Sequence, residues 1–359
     1  MHRIYNFSAG PSTLPLEVLQ EAQEHLVDYH GAGLSIMEDS HRGKAYDAVH
    51  EEAITNIREL LGVSDDYAVL FLTGGATGQF AMIPMNFLQD GKTADYTNSG
   101  AWAAKAIKEA QRIGNVNVVA DCGKEIPTRV PALSELTHTD GAAYVHITSN
   151  ETISGAQWQE FPATEAPLVA DMSSDILSRP FDVNQFGLIY AGAQKNLGPA
   201  GVTLVIIRKD LAARASDSIP AFYRYQTHIE NNSLYNTPPC FPIYILMLVT
   251  RWLKAQGGLQ AMAEMNRRKA ALLYSAIDAS AFYSGTALPT YRSLMNVTFR
   301  LPSEELEKAF VQAAKEREMA GLKGHRSVGG IRASIYNAMP AAGVEALVSF
   351  MKEFESEHG

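Results

Sequence analysis

The chain has 359 residues, 46% of them apolar and 19% charged, and a formal net charge of −9. That length exceeds what one compact core usually serves, so two lobes are expected. The acidic balance disfavours non-specific binding to nucleic acid or anionic lipid, so an anionic ligand must be drawn in by local cations. Cys122 and Cys240 are the two cysteines, far apart and in no metal-ligand spacing, which argues against a disulfide framework or a zinc site and for a reducing compartment. The first seven residues lack the apolar run of a signal peptide. The strongest apolar run, Phe241 to Val249, contains Pro242 and is too short to span a bilayer, so a cytoplasmic location is the default expectation.

In chain order, the pattern predicts a helix over Lys44–Leu61 and a strand over Tyr67–Thr73. Helices over Thr77–Leu88 and Ala101–Arg112 then alternate with strands over Thr93–Asn98 and Val116–Asp121. Further strands are expected over Ala142–Thr148, Pro167–Asp171, Leu188–Ala191 and Val202–Arg208. The runs Val69–Leu72 and Val202–Ile207 are continuously apolar or nearly so, as in strands buried on both faces of a mainly parallel sheet under helices. After Arg208 long helices follow, over Pro242–Ala255 and Gly258–Ala281. A smaller α/β portion closes the chain, with strands over Asn296–Arg300 and Gly330–Ile335 and helices over Ser303–Glu318 and Ala341–Glu355. The expected division is a large lobe over 16–258 and a small lobe over 259–359, with residues 1–15 packing near the latter.

The most informative segment runs from Tyr190 to Gly201, where a strand delivers Lys195 into a tight Gly/Pro turn. A lysine held and shielded at a strand end can lower its pKa by desolvation, as covalent amine chemistry requires. Read alone, it is equally an ordinary lysine in a surface turn. Another apolar strand ends at Asp171, 24 residues earlier, and in a parallel sheet both residues emerge at the carboxyl edge where open α/β sheets bind ligands. Pyridoxal chemistry needs such a pair, a lysine for the aldehyde and an aspartate to keep the ring nitrogen protonated. The competing reading of Asp171 is a helix cap. Thr73-Gly74-Gly75-Ala76-Thr77 runs from strand into helix, where backbone N–H groups and the helix dipole face an anion. Trp102, at the next strand-to-helix junction, suits either a core position or a cover for a planar ring. His41 and Arg42 precede the helix at Lys44, where cations oppose the dipole unless an anion docks there. His325, Arg326 and Arg332 form a second cationic cluster; in a fully extended segment Arg326 and Arg332 would share a face, though Gly329 and Gly330 permit a bend.

Together these parts resemble a known family. Lys195-x-x-Gly198-Pro199-x-Gly201 is similar to the class V pyridoxal-phosphate aminotransferases of fold type I. Longer strings narrow the resemblance to the phosphoserine aminotransferase family: Asn6 to Pro11, Met37 to Arg42, Asn150 to Thr152, Asp171 to Ser174, Gln194 to Asn196, Asn236 to Pro239 and His325 to Arg332. They span nearly the whole chain in the family's order.

The resemblance implies a homodimeric enzyme with a seven-stranded large domain and pyridoxal 5'-phosphate carried by Lys195. It pairs Asp171 with the pyridine nitrogen, stacks Trp102 on the ring and sets Thr152 at the ring's hydroxyl oxygen. Ala76, Thr77 and Gln194 hold the phosphate, with Asn236 and Thr237 reaching it from the other subunit. It assigns Arg332 to the substrate α-carboxylate, and His41, Arg42, His325 and Arg326 to the distal phosphate or carboxylate. The implied reaction takes L-glutamate and 3-phosphohydroxypyruvate to O-phospho-L-serine and 2-oxoglutarate, in serine biosynthesis. Bacterial members also aminate 3-hydroxy-2-oxo-4-phosphooxybutanoate on the route to pyridoxine, and the residues leave that second substrate open here. One departure stands out: Thr77 occupies a position where family members often carry arginine. Two rival readings remain. A class V cysteine desulfurase needs a catalytic cysteine on a mobile loop, which neither Cys122 nor Cys240 resembles; a non-catalytic binding protein on this fold predicts damage at Lys195 or Asp171, and both are intact.

Overall fold

The computed structural model describes residues 3–88, 91–123 and 127–359. Seven strands form the central sheet: β1 (Tyr67–Leu72), β2 (Thr93–Asn98), β3 (Asn115–Asp121), β4 (Val145–Thr148), β5 (Leu168–Asp171), β6 (Leu188–Gly192) and β7 (Thr203–Arg208). Their order across the sheet is β1-β7-β6-β5-β4-β2-β3. β7 runs antiparallel to both its neighbours, and all other pairings are parallel.

The continuous apolar runs follow from burial on both faces. In β1, Val69 and Phe71 join one core while Ala68, Leu70 and Leu72 join the other. β7 divides in the same way, with Leu204 and Ile206 on one side and Val205 and Ile207 on the other. Side chains alternate across a strand, so a strand covered by helices on both sides must be apolar at every position. Helices Lys44–Leu61 and Cys240–Ala255 pack together on the first face; Gly75–Phe87 and Ala101–Ala110 cover the second. Among the described residues, no helix is long and apolar enough to cross a membrane.

A third core is built from residues of the C-terminal part, among them Leu273, Val297, Phe310, Ile331 and Phe350. It packs around strands Asn296–Arg300 and Ile331–Ser334, which pair antiparallel. Phe7 lies in this core, and Tyr5–Asn6 pairs in parallel with Met319–Ala320, so the first residues are tied to the last third of the chain. Helix Gly258–Asp278 bridges the two regions: Leu259 and Met262 join the large core, Ala270 and Leu273 the C-terminal one.

The expected elements are all present, with ends moved by a few residues. The helix expected from Thr77 begins at Gly75, and the helix expected over Ser303–Glu318 is Glu304–Glu316 with the Ser303 side chain as its cap, accepting from the Leu306 amide. Among the elements with no counterpart in the sequence reading are helix Leu16–Glu24, helix Tyr225–Glu230, the small hairpin Asn150–Glu151/Ala156–Gln157 and the two-residue strands Tyr5–Asn6, Ser284–Gly285 and Met319–Ala320. The shared extended face for Arg326 and Arg332 is corrected by the structure. Arg332 lies in a strand, but Arg326 lies in a turn closed by the Val328 and Gly329 amides on the His325 carbonyl. Gly329 and Gly330 take φ of 75° and 71°, the left-handed region that makes the bend.

Candidate active site

Five strand ends converge on one edge of the sheet. β1 leads into helix Gly75–Phe87, β2 into helix Ala101–Ala110 and β4 into the Asn150–Glu151 hairpin, while β5 ends at Asp171 and β6 ends three residues before Lys195. Between them lies a cavity of about 400 Å³, lined by Gly74 to Thr77, Trp102, Asp171, Ser173, Gly192 to Lys195 and Ala200 to Val202. This is the carboxyl edge, where open α/β sheets bind their ligands.

The Lys195 Nζ donates to Thr152 Oγ1 at 2.7 Å and stands 5.3 Å from the centre of the Trp102 ring. Desolvation lowers its pKa to about 8, opposed by the nearby carboxylates of Asp171 and Glu151. The amine therefore sits within reach of its neutral, nucleophilic form near neutral pH. Its main chain is held from the N-terminal segment: the Ser12 hydroxyl donates to the Lys195 carbonyl, and the Ser12 amide donates to the Gln194 carbonyl at 3.0 Å.

Asp171 is buried, and its Oδ1 accepts from the Ser173 amide at 2.9 Å and the Ser173 hydroxyl at 2.6 Å. No helix begins directly after Asp171, so these bonds close a local turn and the helix-cap reading does not hold. Among the described residues Oδ2 receives no hydrogen bond, leaving it for a ligand in the cavity that the residue lines. Burial raises the carboxyl pKa, while Lys195 and Ser173 pull it down. The Ser173 hydroxyl in turn accepts from the Gly192 amide at 3.0 Å, tying β5 to β6 beneath the cavity.

Two helix N-termini face this region, and they differ. The start of helix Gly75–Phe87, with Gly74 as N-cap, has no side-chain cap, and its first residues line the cavity. Unsatisfied amides there form an anion site. The start of helix Ala101–Ala110 is already satisfied by buried Glu151, which accepts from the Trp102 amide at 3.3 Å, the Ala103 amide at 3.1 Å and the Ser99 hydroxyl at 3.2 Å. Burial pushes the Glu151 carboxyl up to about 7, against those three hydrogen bonds.

Arg332 reaches the same place from the C-terminal part, its Nη1 donating to the Thr152 carbonyl at 3.3 Å while its buried Nε has no partner among the described residues. His325 lies close enough that Arg332 and Arg326, after burial, lower its pKa, and Lys105 adds to this. Lys105 also stands 4.1 Å from the Trp102 ring centre. Ala76, Thr77, Trp102, Thr152, Asp171, Gln194, Lys195 and Arg332 are therefore brought together within one chain. His41, Arg42, Asn236 and Thr237 are not. None of the four lines the cavity, and Arg42 and Thr237 are exposed. The polar contacts of Arg42 and Asn236 are local, Arg42 N to Ser40 Oγ and Asn236 Nδ2 to the Thr237 carbonyl.

Ser12, Ser173 and Glu151 were missed as contributors by sequence reasoning. Ser173 and Glu151 stand inside strings that carried the resemblance, beside Asp171 and Thr152, and that adjacency is the one signal that points to them. The residues present fit pyridoxal phosphate: an open helix start for its phosphate, a free carboxylate oxygen for its ring nitrogen, an indole for its ring and a lowered-pKa amine for its aldehyde. Neither cysteine lines the cavity, and burial pushes both thiol pKa values up, away from a catalytic thiolate.

The sequence profile described as aminotransferase class-V matches residues 4–347. The phosphoserine aminotransferase of Desulfosudis oleivorans is 58% identical over 360 residues, covering 99% of each chain. The solved structure of phosphoserine aminotransferase from Bacillus circulans subsp. alkalophilus superposes with a TM-score of 0.98 at 56% identity, over 99% of each chain. A phosphoserine aminotransferase from Trichomonas vaginalis, described as bound to PLP, gives 0.94 at 41% identity, over 98% of this chain and 100% of that one. With a profile match over most of its length and relatives this similar end to end, the chain belongs to the aminotransferase class-V family.

Proposed function

We propose that this enzyme moves the amino group of L-glutamate onto 3-phosphohydroxypyruvate, giving 2-oxoglutarate and O-phospho-L-serine, with pyridoxal phosphate as cofactor. The observation that carries the reading is the convergence of the Lys195 amine, Thr152 and Asp171 beside an uncapped helix start. Bound there, pyridoxal phosphate supplies an aldehyde that captures an amino group and a ring that takes up the electron pair left when the substrate α-carbon loses its proton. The amides of Gly75 to Thr77, with Gln194, would hold the phosphate; Asp171 would hold a proton at the pyridine nitrogen; Trp102 would cover the ring and Thr152 would meet its hydroxyl oxygen.

Lys195 has two tasks. Its neutral amine would anchor the cofactor through the aldehyde, and when free of that bond it is the group placed to take the proton from the substrate α-carbon and to give it up again. Arg332 binds the substrate α-carboxylate through the guanidinium edge whose Nε has no partner among the described residues. His325 and Arg326 receive the distal phosphate or carboxylate. Thr77 supplies a hydroxyl where family members often carry arginine, so the distal anion depends on the remaining arginines and histidines.

The same reading makes the active unit a homodimer, in which His41, Arg42, Asn236 and Thr237 serve the neighbour's cavity. Two features support it: those residues stay outside their own cavity, and large apolar side chains are exposed on nearby segments of the sequence, among them Val27 at 79%, Met37 at 52% and Tyr235 at 46%. The two-lobed division, with residues 16–258 around the central sheet and 259–359 around the C-terminal core, belongs to this reading too.

The test is a pair of half-reactions. L-glutamate alone added to the yellow holoenzyme is expected to bleach the cofactor band and release one 2-oxoglutarate per site. Adding 3-phosphohydroxypyruvate then restores the colour and releases phosphoserine. No bleaching by glutamate, or equal use of unphosphorylated hydroxypyruvate, contradicts the proposal, and sulfide released from cysteine marks the desulfurase reading instead.

A further inference from the structure

Residues Glu151 and Thr152 point their side chains at different parts of the site. Thr152 meets the Lys195 amine and its carbonyl receives Arg332, whereas Glu151 turns to the helix start that carries Trp102. A helix N-terminus is ordinarily satisfied by its own N-cap side chain or by water. Here the N-cap is Gly100, which has no side chain to offer, and the task passes to a carboxylate 51 residues further along the chain. Gly100 is also what lets the carboxylate come so close. A Cβ built at that position would lie 2.7 Å from Glu151 Cδ and 2.8 Å from Oε2. The Glu151 backbone is itself pinned, its carbonyl accepting from the Gly155 amide at 2.8 Å within the short hairpin with Ala156–Gln157.

We propose that Glu151 is a positioning residue of the active site: its buried carboxylate fixes the Trp102 indole as the platform for the cofactor ring and locks that platform in register with Thr152 and Lys195. The inference rests on the cofactor reading above. A carboxylate suits the task because three donors, two N–H groups and one hydroxyl, converge on its two oxygens. An amide of the same shape has one acceptor oxygen, and its NH₂ would face a donor. Glu151 touches neither substrate nor cofactor in this scheme. It acts through Trp102 and Thr152, and Gly100 is its necessary complement.

Pyridoxal phosphate affinity, and hydrogen exchange at the Trp102 and Ala103 amides in cofactor-free protein, are to be measured in wild type, Glu151→Gln, Gly100→Ala and Ile57→Ala. Ile57 is buried in the core, on the helix Lys44–Leu61 that packs against helix Cys240–Ala255, so its truncation lowers stability without touching the platform. The expected result is that Glu151→Gln and Gly100→Ala each weaken the cofactor at least about tenfold and speed exchange at those two amides by a similar factor. Ile57→Ala keeps wild-type values of both. Should Glu151→Gln fail to fold, Gly100→Ala carries the same two readings with the carboxylate still present. Wild-type affinity and protection in either variant overturns the proposal, as does an equal loss in Ile57→Ala. Failure of wild type itself to bind pyridoxal phosphate would instead strike the cofactor reading, while the exchange data still report on Glu151.

Discussion

Burial acts on Lys195 and Asp171 in opposite senses. It lowers the amine toward its neutral form and raises the carboxyl, while each charge offsets part of the other's shift. A protonated ring nitrogen bound at the free Asp171 oxygen would complete a buried ion pair, and removing one partner of such a pair costs about 3–5 kcal/mol. Carried fully into the barrier, that slows turnover by roughly 10²–10⁴ at ~1.36 kcal/mol per decade. Asp171→Asn is expected to show this loss in single-turnover reaction with glutamate; slowing under about threefold would reduce Asp171 to its turn-closing bonds with Ser173. Both positions stood out in the sequence because an apolar strand ends at Asp171 and another three residues before Lys195. Glu151 and Ser12 were not, because their partners, Trp102 and Lys195, lie 49 and 183 residues away and only the folded sheet brings them together.

At the scale of elements, the sequence patterns that succeeded were long: apolar runs for strands covered on both faces and periodic stretches for helices. The misses were short or locally weak. Helix Leu16–Glu24 buries only Val18 and Ala22, and the Asn150–Glu151 hairpin has two residues a side, too few for either periodicity to register. One helical residue is at odds with its pattern. Lys269, in Gly258–Asp278, is buried and donates to the carbonyls of Ile335, Tyr336 and Met339, clamping the turn before helix Ala341–His358. Burial lowers its pKa to about 7, far below the ~10.4 of an unfolded lysine. Between those values the unfolded chain binds more protons than the folded one, so stability rises with pH through this window. The penalty grows as pH falls and is complete below about 7. From pH 7.5 to 9.5 the wild type is expected to gain about 2 kcal/mol more in unfolding free energy than Lys269→Met, measured by denaturant titration. Equal gains would mean that the buried amine does not titrate in this range.

The whole molecule poses the question of the second subunit. Residues that the family resemblance assigns to the cofactor and substrate, Asn236, Thr237, His41 and Arg42, stay outside the cavity of their own chain. A shared site would explain this, and complementation tests it. Lys195→Ala and Thr237→Glu, which sets a carboxylate against the phosphate, are each expected to give inactive homodimers. If Thr237 acts across the interface, a hybrid dimer has one doubly damaged site and one intact site, and random exchange of equal amounts restores roughly a quarter of wild-type activity. A pure, folded hybrid isolated with two affinity tags that stays as inactive as its parents would refute the shared site. The sequence made the motifs of both groups visible, but their separation within one chain emerges only when the strand ends are placed in space.

The central claim is that Lys195 carries the cofactor, and borohydride reduction of the holoenzyme followed by peptide mass analysis tests it most directly. The expected result is a stable pyridoxyl phosphate adduct on the peptide containing Lys195, absent from Lys195→Ala and absent when the wild type is first converted with L-glutamate. An adduct on another lysine, such as Lys105 or Lys269, or an adduct that survives in Lys195→Ala, would contradict the account.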